Sequence, residues 1–305
     1  MRRDRPTPAR PPVGDYLLRA LIADAPGVTI LLLTVLLALG SILAGLLGAL
    51  TGLGGGIIIV PLLTLGFGVD IRYAVGASLI SVIATSSGAA AAYVKEGYTN
   101  IRVGMLLEMG TVAGALVGAW LAGVVSTHVI GTVFGLILLW SAVNSLRPHP
   151  DHGSDGPAHP WAMKLRLNST FPTPEGARHY TVQGVPAGLA LMVVAGILSG
   201  LLGIGSGIIK VLAMDQTMKL PFKVSTTTSN FMIGVTAAAS AGVYLHRGYI
   251  EPTLAVPVML GVLAGALLGA RLLTLANVRH LRTLFTLVLV VFAVQMLYKS
   301  LSGAL

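Results

Sequence analysis

The sequence predicts an all-α, polytopic membrane protein built as two homologous repeats. Three observations carry that prediction: a composition too apolar for water, apolar runs of bilayer length, and one glycine-dense stretch that occurs twice. Of 305 residues, 54% are hydrophobic and only 10% charged, and the mean hydropathy is +0.84. A soluble domain carries about 25% charged residues. The stretch Gly45-Leu-Leu-Gly-Ala-Leu-Thr-Gly-Leu-Gly-Gly-Gly-Ile-Ile-Ile-Val-Pro61 returns as Gly196-Ile-Leu-Ser-Gly-Leu-Leu-Gly-Ile-Gly-Ser-Gly-Ile-Ile-Lys-Val-Leu212.

The shift between copies is general. Moving the chain by 151 places aligns residues 44–146 with 195–297 without a gap, and about 30 positions are identical. An internal duplication of this kind is read before any single motif. The matches include Gly54/Gly205, Gly56/Gly207, Ser78/Ser229, Thr85/Thr236, Tyr98/Tyr249 and Gly114/Gly265.

In chain order, residues 1–28 form a basic, proline-containing tail. The apolar run that follows is too long and too far in for a cleaved signal segment, so it reads as a retained first span with the tail on the cytoplasmic side. The first repeat, 29–147, holds five apolar pieces at about 29–52, 56–68, 73–94, 103–124 and 129–147. Residues 148–185 are a polar linker, in which two alternating runs around Pro174-Glu-Gly suggest a short hairpin. The second repeat, 186–305, holds pieces at about 186–203, 207–218, 224–245, 254–275 and 281–299.

Four pieces per repeat can span. The second, about 13 residues, reaches about 20 Å against a hydrocarbon core of roughly 30 Å. It reads as a broken or re-entrant helix opening at the glycines. Eight spans with two short elements set the repeats parallel, and then about 13 Lys/Arg gather on the tail and linker side against about 6 opposite, as the positive-inside rule wants. The alternative is ten helices, as 5+5 inverted repeats.

The net charge of +9 does not indicate nucleic acid, because the basic residues lie in the tail and between apolar runs, where they set orientation and meet anionic headgroups. The absence of cysteine excludes disulfides and thiolate metal sites. His149, His152 and His159 sit in the polar linker as solvated residues, so neither a metal nor another cofactor is expected.

The candidate binding residues cluster at the two breaks. Broken backbone at membrane depth is tolerated where it lines a cavity, and paired interruptions in two halves point to a transporter's site. Helix beginnings at Gly54, Gly55 and Gly56 and at Gly205, Ser206 and Gly207 would offer N–H groups to an anion. Lys210, inside an apolar run, is costly unless paired or facing water; it could charge the cavity or pair with Asp215. Ser78 and Thr85 lie two helical turns apart on one face, as do Ser229 and Thr236, with Asn230 beside them. Glu108, inside a span, is a candidate proton carrier. Gly110, Gly114 and Gly118, with Gly261, Gly265 and Gly269, form small-residue ridges for close helix packing.

The double motif resembles that of the TauE/SafE sulfite exporters, also called the DUF81 or TSUP permeases, over about residues 30–300. The second copy departs from the pattern, with Ser206 for a glycine, Leu212 for the proline and Lys210 for an apolar residue. The resemblance implies a non-enzymatic secondary transporter of small sulfur-containing anions, such as sulfite, sulfoacetate or taurine. Its expected partners are that anion, the lipid bilayer of the cytoplasmic membrane, a coupling proton or cation, and a second copy in a homo-oligomer. An anion channel and an intramembrane hydrolase are the alternatives; the latter needs a Ser/His or acidic constellation that the sequence does not assemble.

Overall fold

The computed structural model describes residues 30–51, 55–95, 97–146, 156–173, 176–272 and 278–303. The tail 1–28, Gly54, His149 and His152 lie outside the described residues. In chain order the elements are α1 (Ile30–Thr51), α2 (Gly56–Pro61) continued by a π turn (Leu62–Gly66), α3 (Ile71–Lys95), α4 (Ile101–Ala122) and α5 (Thr127–Leu146). After a short α6 (Pro160–Lys164) come β1 (Ser169–Thr173) and β2 (Gly176–Tyr180). Then follow α7 (Val185–Leu202), α8 (Gly207–Leu212) with its π turn (Ala213–Thr217), α9 (Phe222–His246), α10 (Pro252–Leu272) and α11 (Val278–Leu301).

The protein is mainly helical, and among the described residues five helices are long and apolar enough to cross a membrane: Ile101–Ala122, Thr127–Asn144, Val185–Leu202, Pro252–Gly269 and Thr283–Leu301. Its surface is that of a protein in lipid. Leu39, Leu43, Met109, Trp120, Leu136, Leu267 and Leu287 are exposed, whereas Ser78, Ser81, Thr228, Ser229 and Thr236 are buried. Large apolar side chains outside and small polar ones inside suit a hydrocarbon solvent.

Small residues decide which helices touch. A methyl group at Gly114 would lie 2.1 Å from the Val193 carbonyl oxygen, and one at Gly118 would lie 2.0 Å from that of Ile197. So α4 and α7 pack backbone to backbone, and because the partners advance together, the two run in the same direction. Gly261 against Ala38 and Gly265 against Ile42 set α10 beside α1 in the same manner. Only glycine permits either approach.

Other contacts fix the remaining directions. The Asn100 N–H donates to Thr228 Oγ1 (3.0 Å), and Arg247 Nη1 donates to the Ala119 carbonyl (2.9 Å), so α9 runs parallel to α4. Helix α3 begins where α9 ends: Tyr73 meets Tyr249 edge-on at 5.5 Å, and the Arg72 guanidinium lies over the Tyr249 ring. At the opposite end Lys223 Nζ sits 3.9 Å from the Tyr98 ring centroid. Helices α3 and α9 are therefore antiparallel.

The linker contains the antiparallel pair β1–β2, Ser169 facing Tyr180 and Thr173 facing Gly176. It is fastened to the bundle rather than trailing from it. Asn100 Nδ2 donates to the Leu167 carbonyl (2.8 Å) and to the Tyr180 hydroxyl (2.7 Å), while its Oδ1 accepts from the Val103 N–H and caps α4. Burial pushes the Tyr180 phenol above its ordinary range, only partly offset by the Asn100 hydrogen bond. Leu167, Tyr180 and Val182 join Val103, Met214, Met218 and Val224 in a buried cluster. The hairpin thus closes the end of the bundle at which α4, α7 and α9 begin.

Candidate functional site

Both glycine stretches interrupt helices, and the interruptions meet. Helix α7 stops at Leu202; Gly203 (φ 68°) and Gly205 (φ 69°) turn left-handed, and Ser206 follows at φ 46° before α8 starts. Glycine takes that conformation freely, whereas serine pays about 1–2 kcal/mol for it. In the first copy Gly55 is right-handed at φ −65°, and its carbonyl accepts from the N–H groups of Ile58 and Ile59. Glycine is needed there for space, since a methyl group on it would lie 2.7 Å from Val262.

The Ser78 hydroxyl joins the two copies, donating to the carbonyls of Gly203 (2.8 Å) and Gly56 (3.2 Å). Its mate Ser229 donates to the Gly207 carbonyl at 3.3 Å. Both hydroxyl protons are engaged on broken backbone. Thr85 donates back to the Ser81 and Val82 carbonyls of its own helix, and Asn230 is half-buried on α9.

Ser206 is 3% exposed, and its Oγ has no hydrogen-bond partner; Ser141 on α5, at 1%, is in the same position. Both line one small cavity beside the second break, with Ile57, Ile137, Trp140, Ile204, Gly207 and Ile209. Its free volume of about 10 Å³ holds about one water. Residues from both breaks border it, and two buried hydroxyls without partners make it a polar spot in apolar surroundings.

A second polar group begins one residue past the cavity-lining Ile209 on α8. Lys210, fully buried, donates from Nζ to Thr236 Oγ1 at 2.5 Å, and Thr236 Oγ1 donates to Glu108 Oε1 at 2.7 Å. One hydroxyl thus bridges an ammonium and a carboxylate. Glu108 Oε2 is buried and has no hydrogen-bond partner. The sequence singled out all three residues separately, but it offered Asp215 as the partner of Lys210 and did not bring Glu108 to it. Asp215 is buried in the π turn after α8. Ser141 escaped the sequence reading, because a lone serine in an apolar helix carries no periodic or motif signal.

The chain matches the family described as "Sulfite exporter TauE/SafE" over residues 37–296. It is 27% identical over 274 residues to the probable membrane transporter protein YunE of Bacillus subtilis, covering 88% of this chain and 98% of that one. The probable membrane transporter protein MJ0441 of Methanocaldococcus jannaschii is 25% identical over 88% of this chain and 96% of its own. MamO of Magnetospirillum gryphiswaldense, also a probable membrane transporter protein, is 25% identical over 83% of this chain but only 43% of its own. No solved structure matches the chain. With its apolar helices, its interrupted elements and a family match across most of its length, the chain is a multi-pass membrane protein belonging to the TauE/SafE family of transporters.

Proposed function

We propose that the protein is a secondary transporter that moves small sulfur-containing anions, sulfite or organosulfonates such as sulfoacetate and taurine, across the cytoplasmic membrane by alternating access. The observation that carries this reading is the meeting of the two interrupted elements, with one serine hydroxyl bound to the carbonyls of Gly56 and Gly203. Paired broken helices meeting inside the bundle are how such transporters build a midplane site. The cavity at Ser206 and Ser141 has room for about one water, and it lies where residues of both breaks come together.

The direction of the helices supports ten elements in two inverted halves. The mates α3 and α9 run antiparallel, as five crossings per half require; four crossings would set them parallel. Helices α7 and α9 both run with α4, so the chain must return to the start of α7 before α9 begins. The Gln183 N–H donates to the Met218 carbonyl at 3.0 Å, which is that return. A six-residue helix alone cannot cross, but unwound backbone before it and a π turn behind it add the missing length. The tail and the linker then lie on opposite faces, and the gathering of basic residues that favoured eight spans dissolves.

In this reading Ser206 and Ser141 offer hydroxyls to the anion's oxygens and Lys210 supplies the positive field, while Ser78 and Ser229 hold the breaks open. Hydroxyl donors suit a cargo that must leave again, because a neutral donor holds an anion less tightly than a charged, bidentate arginine does. The family relatives, named as probable membrane transporters, and the lack of a base beside Ser206 among the described residues favour transport over hydrolysis. The test is counterflow in proteoliposomes across sulfite, sulfonates and carboxylates. Sulfonate preloading should speed sulfonate entry, as a carrier does. No trans-stimulation would indicate a pore, and carboxylate preference would overturn the substrate class.

A further inference from the structure

Resting on that reading, we infer that Glu108 is the protonation site that admits one anion beside Lys210, so that anion and proton travel together one to one. The argument begins with the direction of two hydrogen bonds. Ammonium has donors only and carboxylate acceptors only, and the chain from Lys210 through Thr236 to Glu108 runs from donor to acceptor throughout. That order of donors and acceptors fits an ammonium and a carboxylate, and with those charges the anion-free site is neutral in sum.

An entering monovalent oxyanion would leave that buried site with one uncompensated negative charge, which membrane depth makes costly. One proton taken up by the Glu108 carboxylate restores the balance: +1 and −1 become +1, 0 and −1, with no other bond made or broken. Thr236 is equipped for both states. Its single hydroxyl proton has two acceptors in reach, Glu108 Oε1 at 2.7 Å and the Met232 carbonyl at 3.0 Å. Once Glu108 is neutral, the hydroxyl swings to Met232, and the Lys210 charge is no longer spent across the bridge. The second carboxylate oxygen, buried without a partner, is the acceptor that remains open to the proton.

Among the described residues, the buried charged side chains are Glu108, Lys210 and Asp215. Helix α7 has no titratable side chain. Those of α9 are Lys223, Tyr244 and His246, all two turns or more from Thr236. On α4 itself Arg102 lies toward the hairpin, where it donates to the Arg166 carbonyl, and Tyr180 of the hairpin is taken by Asn100. Asp215 follows Lys210 by more than a turn on the same broken segment. The mates of Glu108, Thr236 and Lys210 are Met259, Thr85 and Ile59, so the duplication does not repeat this triad in the other half, and a single triad sets the ratio at one.

The experiment uses the full chain in liposomes loaded with a pH-sensitive dye, and isethionate as probe, a monovalent sulfonate with no proton to lose near neutrality. The expected result is one proton entering per isethionate, with apparent affinity falling by up to about tenfold per pH unit as pH rises through the range where Glu108 is ionised before binding. Glu108→Gln should abolish both the proton entry and the pH dependence. Isethionate uptake without protons in the wild-type protein, or an unchanged one-to-one ratio in Glu108→Gln, overturns the coupling and leaves anion transport standing. No uptake of any sulfonate, sulfite or carboxylate overturns the transport reading, and the coupling with it. The wild-type ratio decides the matter even if the variant fails to fold.

Discussion

The two halves meet the same packing problem identically and then part in chemistry. Thr236 and Thr85 are mates, and each donates to a carbonyl one turn back on its helix at 3.0 Å, Met232 for one and Ser81 for the other. Around Thr236 stand Glu108 and Lys210; the mates of those residues, around Thr85, are Met259 and Ile59. The small-residue contacts obey the same shift. Gly114 against Val193 corresponds to Gly265 against Ile42, and Gly196 against Thr111 to Gly45 against Val262. Duplication accounts for the shared contacts, and the residues around Thr236 are where the two copies differ in charge.

The comparison can be broken most sharply at its charged side. Lys210→Ile alone strands a carboxylate in the interior and should cost about 3–5 kcal/mol. Pairing it with Glu108→Met, which copies the residues of the other half, should bring stability back to within about 1 kcal/mol of the wild type or above it, because apolar replacement of a buried ion pair is often neutral or better. Sulfonate uptake should be absent in the double variant. Thermal unfolding in detergent together with liposome uptake checks both, and a double variant that still transports would remove the pair from the mechanism.

The shared frame is tested by overpacking it. Gly114→Leu and Gly265→Leu each force a side chain against a carbonyl 2.1 or 2.0 Å away. Each should cost more than the roughly 3 kcal/mol at the upper end of ordinary overpacking, because the obstacle is backbone, and the two costs should be nearly equal. Clearly unequal losses of thermal stability would show that the two contacts are not equivalent.

A smaller effect, of mixed sign, is expected at the break. Ser206→Gly relieves the left-handed serine but frees the unfolded chain, for a net gain of about 1 kcal/mol. It also removes a hydroxyl from the cavity, so unfolding temperature should rise while sulfonate affinity, read by calorimetry, falls. Unchanged affinity would take Ser206 out of the site. The last comparison is between the two joining serines, where Ser78→Ala should lose about 1 kcal/mol. Ser229→Ala should cost less, because Ser78 holds two carbonyls and Ser229 one. Denaturation midpoints of the pair test that order.

Much of the architecture was legible because apolar length and glycine punctuation are local properties. The run at 101–122 and the break at Gly205–Gly207 are visible in any window of 20 residues. Direction was not legible. Whether a 13-residue piece crosses depends on the unwound backbone beside it and on the neighbours that receive it, here Gly184 and Gly188 around Thr217 and Met218. That one ambiguity hid the site as well: Glu108 meets Lys210 only if α4 and α9 are parallel, and a count of basic residues pointed the other way. The hydroxyls at Ser78 and Ser229 were visible as polar residues in apolar helices, but not that their protons are spent on carbonyls.

The exchange of partners between halves has a cost during synthesis. The glycine face of α1 fits α10, which is made more than 200 residues later, and the ridge of α4 waits for α7. Until then the early helices sit in lipid with their closest-fitting surfaces uncovered, a contact order that makes assembly late and cooperative. Neither half carries its own complement, so a ribosome that stalls in the linker leaves a fragment with nothing to close upon.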